Sequence, residues 1–266
     1  MNRLTTTFNR LAQQHRRALV GYLTAGDPDF DTCLAILQKG IAAGLDVLEL
    51  GVPFSDPTAD GPVIQLAAAR ALKQGMTVAR VLELARRVRA ESDVPIVLFS
   101  YYNTLLRYGI ARLAREATAA GVDGLLIVDL PPEEAGELRP ALANHDLPLI
   151  RLIAPTTSPE RMADIARDAG GFLYLITRTG VTGVGGLNQE RIQQLAASLK
   201  QSTPLPVCLG FGISTASDVQ QLAGLADGVV VGSALVKIVA EHGPDGQAAA
   251  RVAEKVRELR QALDAM

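Results

Sequence analysis

Behind a leading Asp46, three carboxylates, Glu49, Asp56 and Asp60, follow in the stretch Asp46-Val-Leu-Glu-Leu-Gly-Val-Pro-Phe-Ser-Asp-Pro-Thr-Ala-Asp-Gly-Pro62. Glu49 interrupts an apolar run, and an ionisable group near the end of a buried strand is costly unless the site uses it. Burial in apolar surroundings raises a carboxyl's pKa, and a group tuned that way both gives and takes a proton near neutral pH. Pro53, Pro57 and Pro62 fix φ, remove donors and keep the preceding residues out of the helical region, so the loop they punctuate is shaped. Asp60, before Gly61-Pro62, also suits a helix entry, and Asp56 reads as a turn residue. The stretch therefore points to acid/base chemistry from preorganised carboxylates.

Two glycine-rich turns add a phosphate. Gly210-Phe-Gly212 and Gly232-Ser233, the latter opening a helical run from Ala234 to Val239, combine close-approaching backbone amides with a helix amino terminus and a hydroxyl. Thr179 to Gly186 has the composition of a loop that closes over a site. The five lysines, at 39, 73, 200, 237 and 255, all miss the expected strand ends, which leaves a Schiff base without an amine. His15, His145 and His242 lie in or beside helical segments, so no imidazole cluster for a metal is expected. Metal-free, cofactor-free acid/base chemistry on a phosphorylated substrate remains, a description that a sugar-phosphate isomerase or epimerase also meets.

Something must carry these groups to one place, and a repeated unit does so. Helical stretches ending in Ala43-Gly44, Ala120-Gly121 and Ala169-Gly170 precede apolar runs at Asp46 to Leu50, Gly124 to Val128 and Phe172 to Thr177; a glycine past a helix end takes the left-handed conformation that closes the last turn. Further runs occupy Ala18 to Leu23, Ile96 to Phe99, Leu149 to Leu152, Val207 to Leu209 and Gly228 to Val231. Runs without alternation suit strands covered on both faces. Eight βα units in about 230 residues predict a closed parallel (β/α)8 TIM barrel, one domain over residues 1–266, with an extra N-terminal helix over 2–14. Its strand-end loops share one face, holding Tyr22, Asp27, Glu49, Asp60, Ser100, Tyr101, Asn103, Asp129, Arg151 and Tyr174 beside the glycine-rich turns.

At 266 residues, 48% hydrophobic and 20% charged, the chain can bury a large core. A net charge of −2 argues against nucleic acid or an anionic membrane as the main partner. Cys33 and Cys208 match no metal or redox spacing. The polar amino terminus is unlike a signal peptide and no run reaches membrane-span length, so the cytoplasm is the expected location.

Leu48-Glu-Leu-Gly-Val-Pro-Phe-Ser-Asp-Pro57 followed by Ala59-Asp-Gly-Pro62 closely resembles the signature of tryptophan synthase α subunits. Thr24-Ala-Gly-Asp-Pro28, Tyr174-Leu-Ile-Thr-Arg-Thr-Gly-Val-Thr-Gly183, Gly210-Phe-Gly-Ile-Ser214 and Gly232-Ser-Ala234 follow in the same register. The resemblance implies retro-aldol cleavage of indole-3-glycerol phosphate to indole and glyceraldehyde 3-phosphate. It gives Glu49 the proton traffic and Asp60 the indole nitrogen, Thr182 and Gly183 the mobile loop, Tyr22 and Tyr174 the pocket, and Gly183, Gly212, Gly232 and Ser233 the phosphate. Tyr22 departs from the expected phenylalanine, and its hydroxyl needs a partner; Gly185-Gly186 departs at the loop hinge. The resemblance further implies no cofactor or metal on this chain and an α2β2 heterotetramer with a β subunit that carries pyridoxal phosphate, faced by Pro53, Asp56, Pro57 and Pro131. A stand-alone lyase releasing free indole and a catalytically idle regulatory subunit are the competing readings.

Overall fold

The computed structural model describes residues 2–177, 189–210 and 212–265. Eight parallel strands close on themselves in sequence order: β1 (Ala18–Thr24), β2 (Val47–Gly51), β3 (Ile96–Ser100), β4 (Gly124–Ile127), β5 (Leu149–Ile153), β6 (Leu173–Ile176), β7 (Val207–Gly210) and β8 (Gly228–Val231). Around them lie α2 (Phe30–Ala42), α3 (Pro62–Lys73), α4 (Val78–Arg89), α5 (Tyr102–Tyr108), α6 (Ile110–Ala119), α7 (Leu138–Ala143), α8 (Pro159–Asp168), α9 (Gln189–Ser202), α10 (Ala216–Ala223), α11 (Ser233–His242) and α12 (Ala248–Asp264), with α1 (Arg3–Gln13) ahead of the first strand. This is the (β/α)8 barrel the repeat predicts. Each expected strand is present, its bounds shifted by at most two residues.

Each strand is buried on both faces, and its side chains alternate between two cores. Val20, Val47, Val97, Leu126, Ile150, Phe172, Cys208 and Val230 fill the barrel, while Leu19, Leu48, Leu98, Leu125, Leu173 and Val229 pack beneath the helices. The predicted N-terminal helix stoppers the barrel: Leu4, Phe8 and Leu11 join the interior cluster, and Phe8 meets Phe172 with ring centroids 5.6 Å apart. Polar side chains fix the helix starts, each satisfying an orphan first-turn N–H. Asn2 caps α1, Asp29 caps α2, Thr77 caps α4 and Ser158 caps α8, while Thr215 and Asp218 form a reciprocal capping box on α10.

Three aspartates stitch the lower rim. Asp46, Asp123 and Asp227 each stand just before a strand and accept the N–H that opens or nearly opens the preceding strand, from Leu19 at 3.0 Å, Ile96 at 2.9 Å and Val207 at 2.9 Å. Arg260 neutralises Asp46 at 2.8 Å and Arg89 neutralises Asp123 at 2.8 Å. Two of the predicted glycine stops hold, Gly44 and Gly121 having positive φ. The third is corrected by one residue: Ala169 is already extended and Gly171, at φ 72°, makes the reversal. Among the described residues no helix is long and apolar enough to cross a membrane.

Candidate active site

Glu49 occupies the middle of β2, in the inward row between Val47 and Gly51, opposite Tyr22 of β1 and Val97 of β3. The strand period forces its carboxyl into the barrel, where it is 1% exposed and its Oε1 has no hydrogen-bond partner among the described residues. Native interiors rarely leave such an atom unpaired. Desolvation pushes the carboxyl up to about 8, with no cation opposing it among the described residues. A carboxylate satisfied by backbone donors at a strand end would look quite different.

Asp60 comes from the shaped loop after β2. Backbone bonds from Thr58 to Asp56 (2.9 Å) and from Asp60 to Pro57 (3.1 Å) hold the turn, and Gln65 of α3 donates to the Asp60 carbonyl at 2.8 Å. The Asp60 side chain is buried and accepts the Tyr101 hydroxyl at 3.0 Å. Burial raises its pKa to about 6, against the downward pull of that hydrogen bond. Two carboxyls on one barrel thus differ in charge at neutral pH, Glu49 holding its proton and Asp60 mostly ionised, the division of labour that acid/base chemistry needs.

Tyrosines wall the space. Tyr22 packs edge-on against Phe99, with centroids 5.1 Å apart and planes at 75°, and its hydroxyl finds the partner it needs in Thr24 Oγ1 at 3.5 Å. Both Asp60 and Glu49 bear on the Tyr22 phenol electrostatically, and Glu49 bears on Tyr174 and Cys208. Any Cβ at Gly51 would overlap the Tyr22 hydroxyl, and one at Gly210 the Tyr174 hydroxyl. These glycines are sockets for aromatic rings.

Gly212 takes a positive φ of 79°, a conformation open to glycine. Gly232 is the N-cap of α11, Ser233 its first residue, and the backbone of Gly232 lies against Tyr22. Since the first N–H groups of a helix have no partner within it, the α11 terminus offers an anion site beside the pocket wall. Thr182, Gly183 and Gly185-Gly186 lie outside the described residues.

Three strand-end residues expected on this face do other work. Arg151, although in β5, alternates with the inward Ile150 and Leu152, so it turns outward and pairs with Asp168 while donating to the Leu130 carbonyl at 2.8 Å. Asp27 is clamped by Arg70 of α3 through two bonds of 2.7 and 2.8 Å. Asp129 accepts the Tyr102 N–H at 2.7 Å, at the start of α5. Of the loop residues, Pro53 is buried, Pro57 half-buried, and Asp56 and Pro131 exposed. At the opposite end a groove of about 500 Å3 is lined by Arg3, Arg10, Asp46 and Asp93, but both its carboxylates are paired with arginines. Among the described residues no group of three His, Cys, Asp or Glu is placed to hold a metal.

Residues 8–264 match the family model described as the tryptophan synthase alpha chain. The chain belongs to the tryptophan synthase alpha chain family. The alpha chain of Desulfosudis oleivorans is 50% identical over 262 residues, covering 98% of this chain and 99% of the relative. That of Geobacter sulfurreducens is 46% identical over 263 residues, covering 99% of each. Among solved structures, tryptophan synthase subunit alpha from Legionella pneumophila superposes with a TM-score of 0.93 at 36% identity over 100% of both chains. As a tryptophan synthase alpha chain it is a lyase that cleaves indole-3-glycerol phosphate, in a cofactor-free family whose members work with a beta subunit. Sequence reasoning placed Tyr101 among the strand-end residues of this family's barrel without giving it a role. Its contact with Asp60 spans 41 positions, and no local spacing signals it.

Proposed function

We propose that Glu49 and Asp60 divide the cleavage of indole-3-glycerol phosphate between them. The observation that carries this reading is the Glu49 carboxyl, buried, unpaired at Oε1 among the described residues and raised to about 8, on the same barrel as an Asp60 held near 6. The protonated Glu49 gives its proton to C3 of the indole ring, which places a positive charge on the ring nitrogen. The Asp60 carboxylate accepts the N–H and offsets that charge. Glu49, now ionised, takes the proton of the glycerol hydroxyl on the carbon bonded to C3. The C3–carbon bond breaks, its electron pair restores the aromatic indole, and the hydroxyl carbon becomes the aldehyde of glyceraldehyde 3-phosphate. Glu49 ends protonated, as it began.

Gly212, Gly232 and Ser233, with Gly183, hold the phosphate, Tyr22 and Tyr174 line the indole pocket, and Thr182 belongs to the loop that closes over it. The exposed Asp56 and Pro131 offer surface to the beta subunit, and Pro53, being buried, shapes that loop from beneath. An α2β2 assembly, pyridoxal phosphate on the beta subunit and a cytoplasmic location complete the reading, the last supported by two buried free thiols.

The test is indole release from indole-3-glycerol phosphate by the purified chain, alone and with a tryptophan synthase beta chain. Slow release raised about tenfold or more by the partner is expected of sites coupled by a few kcal/mol. Full speed without the partner would favour a stand-alone lyase, and no release in either condition would favour an idle regulatory subunit.

A further inference from the structure

Tyr101 follows β3 directly and is 3% exposed. Its hydroxyl accepts the Ala59 N–H at 2.9 Å and donates to Asp60 Oδ2 at 3.0 Å. A phenol has one proton, and the Ala59 amide occupies the acceptor side, so that proton is committed to the carboxylate. The ring stacks at a tilt on Phe54, with centroids 5.2 Å apart and planes at 33°, and Phe54 belongs to the loop that carries Asp56 and Pro57. Three contacts therefore fix the phenol: a backbone amide next to Asp60, the carboxylate itself, and an aromatic ring from the same loop.

We propose that Tyr101 is a positioning residue for the cleavage, holding Asp60 ionised and turned so that Oδ1 is left for the N–H of the substrate, and that Phe54 holds Tyr101 in register for that task. The inference rests on the role given to Asp60 above and adds to it the device that sets its orientation and charge. Hydrogen bonding to the charged form favours that form, and Asp60 is indeed drawn down by Tyr101 against its burial. Burial raises the Tyr101 phenol well above its ordinary range, so the hydroxyl stays a donor. The other ionisable groups around this pair are Tyr22 on β1, Glu49 on β2 and Asp129 after β4. None is a cation, which leaves the phenol as the group that favours the Asp60 anion among the described residues.

The experiment compares Tyr101→Phe, Phe54→Leu and Asp60→Asn in the full chain, measuring kcat and KM for indole release between pH 5 and 9. In Tyr101→Phe the acidic limb of kcat/KM is expected to move up by about one pH unit while the basic limb stays, with kcat falling roughly tenfold or more and KM changing less than threefold. Phe54→Leu keeps the hydroxyl and loosens the ring, so a smaller displacement of the same limb is expected; it carries the test if Tyr101→Phe does not fold. An unmoved acidic limb with kcat within twofold, while Asp60→Asn is inactive, overturns the positioning role alone. An active Asp60→Asn overturns the reading of Asp60 and the inference with it.

Discussion

Between about pH 4.5 and 8 the folded chain keeps a proton on Glu49 that the unfolded chain releases, because burial moves the carboxyl from its ordinary 4.5 up to about 8. Below that window both states are protonated and Glu49 adds no pH dependence. As pH rises through it the unfolded state is progressively favoured, by an amount on the order of several kcal/mol at its upper end. Glu49→Gln preserves shape and has no proton to release. The variant is expected to match the parent in melting temperature below about pH 4.5, to exceed it increasingly up to about pH 8 and to hold that margin above it, while kcat falls by roughly 10²–10⁴-fold. Equal melting temperatures across the whole range would mean that Glu49 is not held neutral by its surroundings. The burial of this carboxylate and its raised pKa were legible in the sequence, since an acid inside an apolar run declares its own cost. Its orphaned oxygen was not, because that depends on what seven other strands bring near it.

Asp123, 3% exposed, accepts from the Ile96 N–H, from Arg89 at 2.8 Å and from Arg3 at 3.0 Å. It joins α1, α4 and two strands at the end of the barrel away from the carboxylates. Asp123→Ala strands an amide and removes the counter-charge of a mostly buried guanidinium that keeps its bonds to the Gly121 and Ser92 carbonyls, and is expected to cost about 3 kcal/mol in denaturant unfolding with kcat changed less than twofold. A large loss of kcat in a variant that stays folded would contradict the separation of the two rims. The strands themselves were readable because burial on both faces writes continuous apolar runs. Arg151 was misplaced for a related reason: adjacent strand residues point to opposite sides, and a polar residue near a strand end is assigned to a face only when the register is known. The Gly170 to Gly171 correction is of the same kind, one residue deciding which peptide turns.

The barrel keeps the chemistry proposed for Glu49 and Asp60 at one rim and the Asp46, Asp123 and Asp227 links at the other, and the β2 loop carries exposed residues beside the first. Asp56 is exposed and takes no part in the chemistry assigned to Glu49 and Asp60. Asp56→Ala is expected to leave turnover of the chain alone within twofold and to reduce its stimulation by a beta chain severalfold, as an exposed interface charge does. Unaltered stimulation would remove Asp56 from the contact. The aromatic sockets have a genetic consequence. Every single-base change that replaces a glycine codon with another amino acid adds a Cβ, so at Gly51 and Gly210 all such mutations collide with a tyrosine ring. Gly136 and Gly224, with nothing among the described residues within 4 Å of that atom, meet no such obstacle there. In a saturation library selected for growth without tryptophan, the first two codons should survive almost only as synonyms, and the other two should drift freely.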